Sequence, residues 1–267
     1  MEIIRNGNGL SFANYDGSGF VPADWDYLRS EMLGLNVIGL PPGEHGLEAL
    51  KPAYGWLRSL RVNSASCTDL RLVRELKDLD SLAIGGLVEH GLPASDLPGL
   101  ESFSGPIDNF PGIEHLPSLR SLGVVWASHK IRTITAPLRQ LAYTEKARQA
   151  GLPALAHPEL LESLEVDFAK NLDVSTIGTY RNLRELTFHH CRVITGARSL
   201  CDLALDTLVI ENCPDMEGYE SLTTLSVARA HVVGRNPFGA RFREEVAARV
   251  DCEWTFPPST RYLSATY

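Results

Sequence analysis

A short leucine-centred pattern, Leu-x-x-apolar-x-apolar, recurs ten times in this chain of 267 residues, at intervals of 17 to 23 residues. The alternation within each copy predicts a short strand whose inward side chains are those such as Leu60 and Val62. One turn of chain cannot bury these side chains alone, so successive turns must stack, at about 4.8 Å per strand. Only Gly105 interrupts the pattern. The copies begin at Leu35, Leu57, Leu79, Leu100, Leu119, Leu138, Leu161, Leu183, Leu205 and Leu222.

The segments between the copies are rich in glycine and proline, as in Pro41-Pro42-Gly43 and Pro98-Gly99. Such residues favour loops, 3₁₀ turns and short helices over long helices. Asp69–Leu76, with apolar residues at intervals of one to three, predicts one or two helical turns. The repeat therefore predicts a strand on one side of each turn and irregular structure on the other.

From about residue 32 to 230 the chain resembles the leucine-rich-repeat family, whose signature is Leu-x-x-Leu-x-Leu-x-x-Asn/Cys-x-Leu. The resemblance implies an α/β solenoid. In it, about ten short parallel strands line the concave face of a curved superhelix, and loops, 3₁₀ turns and short helices form the convex face. The period and an apolar residue three positions before many copies are typical of the short repeats of about 22 residues. Cys191 and Cys213 alone fill the family's Asn/Cys position, so the polar ladder is expected to be incomplete.

The regions on either side of the repeats are predicted to cover the ends of the solenoid, which would otherwise expose apolar side chains. Residues 1–31 are predicted to form an N-terminal cap, with a strand and then a helix that begins near Pro22. Residues 32–230 form the repeat region. Residues 231–267 form a C-terminal cap: a helix that starts at Asn236-Pro237, a strand through Cys252, Trp254 and Phe256, and a loose tail.

Composition limits the classes of partner. The 25 basic and 33 acidic residues give a net charge of −8, which argues against binding nucleic acid or an anionic membrane through bulk charge. No apolar run approaches the roughly 18 to 20 residues of a membrane span, and Met1–Arg5 lacks the features of a signal peptide. We therefore expect a cytoplasmic protein. Five cysteines without a Cys-x-x-Cys pair predict reduced thiols rather than disulfides or a structural zinc site.

The outward residues of the predicted strands define a candidate binding surface, because repeat proteins commonly bind through their concave face. Its middle is built of small residues, and its later copies concentrate carboxylates, which favour a basic partner. The alternative is that small residues tolerate sheet curvature and the charges serve solubility. The candidate partner-binding residues are Arg61, Glu165, Asp167, Glu185, Thr187, His189 and Glu211.

His189-His190-Cys191 is the most suggestive cluster for chemistry. Metal binding there needs a third ligand, and Cys213 lies one repeat away. The Asn/Cys position of the repeat explains both cysteines without a metal, so we expect neither a metal site nor a cofactor. The sequence contains no Gly-x-Ser-x-Gly, His-Glu-x-x-His or phosphate-binding loop. We therefore expect that the chain is not an enzyme.

The leading functional hypothesis is a non-catalytic scaffold, a monomer apart from its partner, that binds another protein or a peptide through the concave face. A narrower alternative is an immunity-type protein that neutralises a toxin enzyme by covering it. Another alternative is an enzyme or a substrate-presenting subunit of a peptide-modification pathway, and a third is a self-assembling structural solenoid. Fold-level resemblance does not choose among them, because function depends on the site that a fold carries.

Overall fold

The computed structural model describes residues 2–5, 11–126, 133–145, 150–234, 244–245 and 253–255. The chain divides into two compact units. Unit 1 comprises Met1–Val125 and Thr135–Leu138, and unit 2 comprises Trp126–Ile134 and Arg139–Tyr267. The division falls inside the predicted repeat region rather than at either of its ends.

Unit 1 is built on one sheet whose strands follow the chain order. Its first pair, β1–β2, is antiparallel, and every later pair in the unit is parallel and joins successive strands. The strands are β1 (Glu2–Arg5), β2 (Ser11–Tyr15), β3 (Gly34–Val37), β4 (Ser59–Val62), β5 (Ser81–Ile84), β6 (Ser102–Pro106) and β7 (Ser121–Trp126).

The N-terminal region contains the predicted helix, and two strands, β1 and β2, precede it where one was predicted. Helix α1 spans Pro22–Ser30, with the predicted proline in its first turn. The carboxylate of Asp24 accepts a hydrogen bond of 2.9 Å from the backbone N–H of Val21, so the helix start is fixed by its own third residue. Leu28 is buried at 1% exposure and attaches the helix to the core of unit 1.

The connections are mostly 3₁₀ helices, as the glycine and proline content predicted. Along η2 (Arg71–Glu75) and its two flanking residues, the apolar residues Leu70, Val73 and Leu76 recur every third position and all are buried. A helix with three residues per turn places such residues on one side, which explains why 3₁₀ rather than α geometry forms here. The 3₁₀ helices are η1 (Glu48–Ala53), η2 (Arg71–Glu75), η3 (Ala94–Asp96), η4 (Ile107–Asn109), η5 (Ile113–His115), η6 (Pro158–Leu160), η7 (Ile177–Thr179), η8 (Ala197–Asp202) and η9 (Tyr219–Thr224).

Unit 2 contains a main sheet in the order β9-β12-β14-β16-β18-β19, with all of its described pairs parallel. A second sheet, β10-β13-β15-β17, and a two-stranded sheet, β8 with β11, accompany it. The strands are β8 (Thr133–Ile134), β9 (Gln140–Glu145), β10 (Ala150–Gly151), β11 (Ala154–Leu155), β12 (Ser163–Asp167), β13 (Asn171–Asp173), β14 (Glu185–His189), β15 (Val193–Thr195), β16 (Ala204–Glu211), β17 (Asp215–Met216), β18 (Ser226–Val233) and β19 (Glu253–Thr255).

The core is made of rows of in-register side chains, as the repeat predicted. Leu164, Leu186 and Leu208 stand opposite one another on β12, β14 and β16, and each is at most 1% exposed. Burial of a leucine side chain contributes about 1.5–3 kcal/mol. Since each row continues from strand to strand, the stabilisation of one turn depends on its neighbours.

Two of the ten predicted copies have the wrong register. The pattern predicts Leu35 at its first position, but β3 places Leu35 opposite Leu60, at the second position. Ile38, predicted to be a core residue, is 46% exposed. In the last copy, the residue opposite Leu208 is Ala230 rather than Leu225. The spacing from Leu208 to Ala230 is therefore 22 residues, in step with the two spacings before it.

At the C-terminal side, β19 pairs in parallel with β18, which agrees with the strand predicted around Trp254. Most of the helix predicted from Asn236 lies outside the described residues. Within that stretch the structure describes residues 244–245, which are helical. The predicted tail also lies outside the described residues. In the described part of the chain, no helix is long and apolar enough to cross a bilayer.

Candidate functional site

Three neighbouring strands of unit 2 carry the candidate site at their C-terminal ends. On β12, β14 and β16 the core takes one set of alternate side chains, such as Val166 and Phe188, which are fully buried. The other set points away from that core. Its last row consists of Asp167, His189 and Glu211, which are opposite one another in register.

His189 is the centre of this cluster. Its Nδ1 lies 2.9 Å from Oε2 of Glu211, and its Nε2 lies 3.8 Å from Oε1 of Glu165. Asp167 completes the group, because one ligand-type atom each from Glu165, Asp167 and His189 lie within 4.8 Å of one another. The His189 side chain is 26% exposed, so the cluster is accessible but is not a fully solvated surface.

The electrostatics of the cluster are dominated by carboxylates. Burial raises the pKa of Asp167 above its ordinary value, and the negative charge of Glu211 raises it further. The imidazoles of His189 and His190 act in the opposite direction. Bringing three carboxylates around one imidazole creates a negative potential that a cation would relieve.

A row of left-handed residues follows the three strands. Phe168, His190 and Asn212 have φ values of 58°, 54° and 52°, and Gly234 continues the row at 70°. The rings of Phe168 and His190 stack with centroids 4.8 Å apart and planes 6° from parallel. Asn212 Nδ2 lies 3.3 Å from His190 Nε2. Phe168 is 57% exposed, so an aromatic ring borders the carboxylates on the surface.

Position 234, the last in this row, favours glycine for a steric reason as well as a conformational one. A Cβ at this position would collide with the amide oxygen of Asn212. The positive φ also disfavours any side chain there.

Cys191 and Cys213 lie behind the row, on the core side. Both are fully buried, and their thiols lie within 3.5 Å of backbone carbonyl oxygens, those of Val166 and His189 for Cys191. The hydrogen bond with Cys213 and burial raise the pKa of the Cys191 thiol. These contacts satisfy backbone carbonyls in the last two residues of β12, β14 and β16. The two cysteines are neighbours and belong to the core rather than to the carboxylate cluster.

The structure brings together four of the seven predicted site residues: Glu165, Asp167, His189 and Glu211. Thr187 adjoins them, because it is in register with Glu165 and lies two residues before His189 on β14. The remaining two residues lie apart from this group.

Glu185 is exposed at the opposite end of β14, where it is in register with Ser163 and Thr207. Arg61 belongs to unit 1, where its guanidinium lies 4.5 Å from the centroid of the Phe12 ring. It is half-buried and packs against Phe12 of β2.

Sequence reasoning missed the left-handed row. A usable signal was present, since Phe168, His190, Asn212 and Gly234 are 22 residues apart and two of them are Asn and Gly, the residues that best tolerate positive φ. Comparisons of the chain with protein-family models, with curated proteins and with solved structures found no match.

Proposed function

We propose that this chain is a non-catalytic scaffold that binds another protein or a peptide, and that its fold is an α/β solenoid of the leucine-rich-repeat type. The fold proposal is supported by parallel strands paired in register at 19- to 25-residue spacing and joined by 3₁₀ helices. It is supported further by buried thiols at the Asn/Cys position.

The binding surface is the outward side of β12, β14 and β16. The observation that carries this proposal is the cluster of Glu165, Asp167 and Glu211 around His189. These side chains project from strands that are hydrogen-bonded on both sides, so little backbone conformational entropy remains to be lost when a partner binds. The proposed surface consists of Glu165, Asp167, Glu185, Thr187, His189 and Glu211.

The partner is a basic protein or peptide. Carboxylates on a net acidic molecule attract cationic groups and accelerate encounter with them. The exposed ring of Phe168 lies beside the same strand ends and offers a flat apolar surface on which an arginine side chain can stack.

Affinity capture from the native cell lysate tests this function. The bait is the full chain, compared with a variant in which Glu165, Asp167 and Glu185 are replaced by Lys. We expect the unmodified chain to retain basic proteins that the variant does not retain. Raising the salt concentration should elute these proteins from the unmodified chain.

A second bait, with Asp78, Glu89 and Asp96 replaced by Lys, changes the net charge equally at exposed positions in unit 1. It should retain the same proteins as the unmodified chain. Identical sets of captured proteins from the unmodified chain and the Glu165, Asp167 and Glu185 variant would refute the proposed surface.

A further inference from the structure

We propose that Glu165, Asp167 and His189 form a binding site for a divalent transition-metal ion of the Zn²⁺ class. Each residue offers one ligand atom, and these three atoms lie within 4.8 Å of one another. Ligand atoms on a tetrahedral zinc ion are about 3.4 Å apart, given metal–ligand distances of about 2.0–2.2 Å. The 3.8 Å between His189 Nε2 and Glu165 Oε1 therefore needs to close by a few tenths of an ångström, and no pair of the three atoms needs to close by more than about 1.4 Å.

The donor set favours this class of ion. Imidazole nitrogen suits zinc and the neighbouring transition metals, whereas Mg²⁺ and Ca²⁺ prefer sites made of oxygen alone. Two carboxylates supply the negative charge that a divalent ion requires. Three protein ligands leave a further coordination position open, as in zinc sites that bind water or an external group.

The orientation of His189 separates this cluster from a simple accumulation of acidic residues. With Nδ1 2.9 Å from Oε2 of Glu211, Nδ1 is the nitrogen placed to carry the proton when the imidazole is neutral. The lone pair is then on Nε2, the nitrogen that faces Glu165. A carboxylate that holds the outer nitrogen of a ligating histidine is the usual second shell of zinc sites. Glu211 is therefore a positioning residue rather than a ligand.

The strand register preorganises the site. Asp167 and His189 are opposite each other on paired strands, and Glu165 lies two residues before Asp167 on the same side of β12. All three are half-buried, so their side chains keep the freedom to rotate until the ligand atoms reach coordination distance while the backbone stays in place.

Titration of the untagged full chain with Co²⁺ and with Zn²⁺ tests the proposal, by visible absorption and by calorimetry. We expect one ion per chain, with a cobalt spectrum of nitrogen and oxygen ligation and no displacement by excess Mg²⁺. His189→Ala should abolish binding. His190→Ala, the matched control, changes the adjacent exposed histidine and should leave the affinity unchanged.

Three further variants keep the test decisive. Asp167→Asn is nearly isosteric and should also weaken binding, so the result does not depend on His189→Ala alone. Glu211→Ala should lower the affinity about 10- to 100-fold. Glu211→Gln retains an oxygen that accepts the Nδ1 proton and should restore most of that loss.

Three results would overturn the site: no binding to the unmodified chain, equal binding by His189→Ala, or an intense sulfur-to-cobalt charge-transfer band. The last would assign the ion to cysteine ligands. The partner-binding proposal is tested without added metal, so the two can fail separately.

Discussion

At the scale of single residues, Asp167 is held in a state unlike that of a solvated carboxylate. It is half-buried beside His189, His190 and Glu211, and burial raises its pKa. An acid whose folded pKa exceeds its unfolded value binds protons more tightly in the folded chain. Its contribution to stability is therefore fully present below the unfolded pKa and is lost as the pH rises through the folded pKa.

This predicts that Asp167→Asn stabilises the metal-free protein at neutral pH, because the neutral amide avoids the cost of a partly buried charge. The gain should shrink as the pH falls toward about 3.9, the ordinary value for aspartate. Thermal unfolding in the presence of a chelator, followed across that pH range, measures the effect. Asp78→Asn, at an exposed position of unit 1, is the control. A gain that does not vary with pH would contradict the explanation.

Backbone conformation imposes a second constraint at residue scale. Phe168 is a large residue in the left-handed region, where a side chain costs about 1–2 kcal/mol and glycine costs little. Phe168→Gly and Phe168→Ala both remove the ring that stacks on His190, but only glycine relieves the strain. We expect the glycine variant to be about 1 kcal/mol more stable than the alanine variant in urea unfolding. Equal stabilities would show that this position is not strained.

At the scale of secondary structure elements, each central strand has one side in the core and one side outside it. Leu186 on β14 is fully buried between Leu164 and Leu208, whereas the next residue, Thr187, is half-buried on the other side. Because of this alternation, truncating two adjacent side chains should lower the free energy of unfolding by very different amounts.

We therefore expect Leu186→Ala to reduce the free energy of unfolding by about 2–5 kcal/mol, through lost burial and a cavity. Thr187→Ala should change it by about 0.5 kcal/mol or less. Denaturant titration of both variants, with secondary structure as the signal, measures the difference. Similar losses at the two positions would be incompatible with the observed strand orientation.

At the scale of the whole molecule, the leucine pattern predicted most of the core and the identity of the outward rows. Prediction failed at the two ends of the pattern, where Met32 and Ala230 occupy positions that elsewhere hold leucine or phenylalanine. A larger apolar residue nearby, Leu35 in the first copy and Leu225 in the last, fits the pattern better, so the pattern predicts the wrong register there. Register is set by pairing with the neighbouring strand, which a local pattern does not contain.

The candidate site was predictable to the same extent. Alternation along a strand placed Glu165, Asp167 and His189 on one side, and the repeat placed Glu211 next to them. Alternation does not report contact distance, so Arg61 and Glu185 were included although they lie elsewhere. The left-handed turn after each strand depends on φ values, which hydrophobic periodicity does not encode.

Thiol reactivity tests the packing of the molecule as a whole. Cys67, Cys191 and Cys213 are buried, and burial raises the pKa of Cys67 to about 11. In a Cys252→Ser variant, we expect Cys201 to react rapidly with a chromogenic disulfide and the three buried thiols to react only after unfolding. Rapid reaction of all four in the native state would contradict the described core.

The constant interval of 22 residues from Leu164 to Leu186, to Leu208 and to Ala230 has a consequence for how such a molecule can change. Duplicating one complete turn within this stretch adds a strand and lengthens each core row and each outward row by one residue, while every strand keeps a neighbour of the same kind on each side. Inserting a single residue in a strand instead exchanges its inner and outer side chains from that point onward. The outward surface of this protein can therefore be lengthened by whole turns, and its charge and polarity can be changed by single substitutions at outward positions.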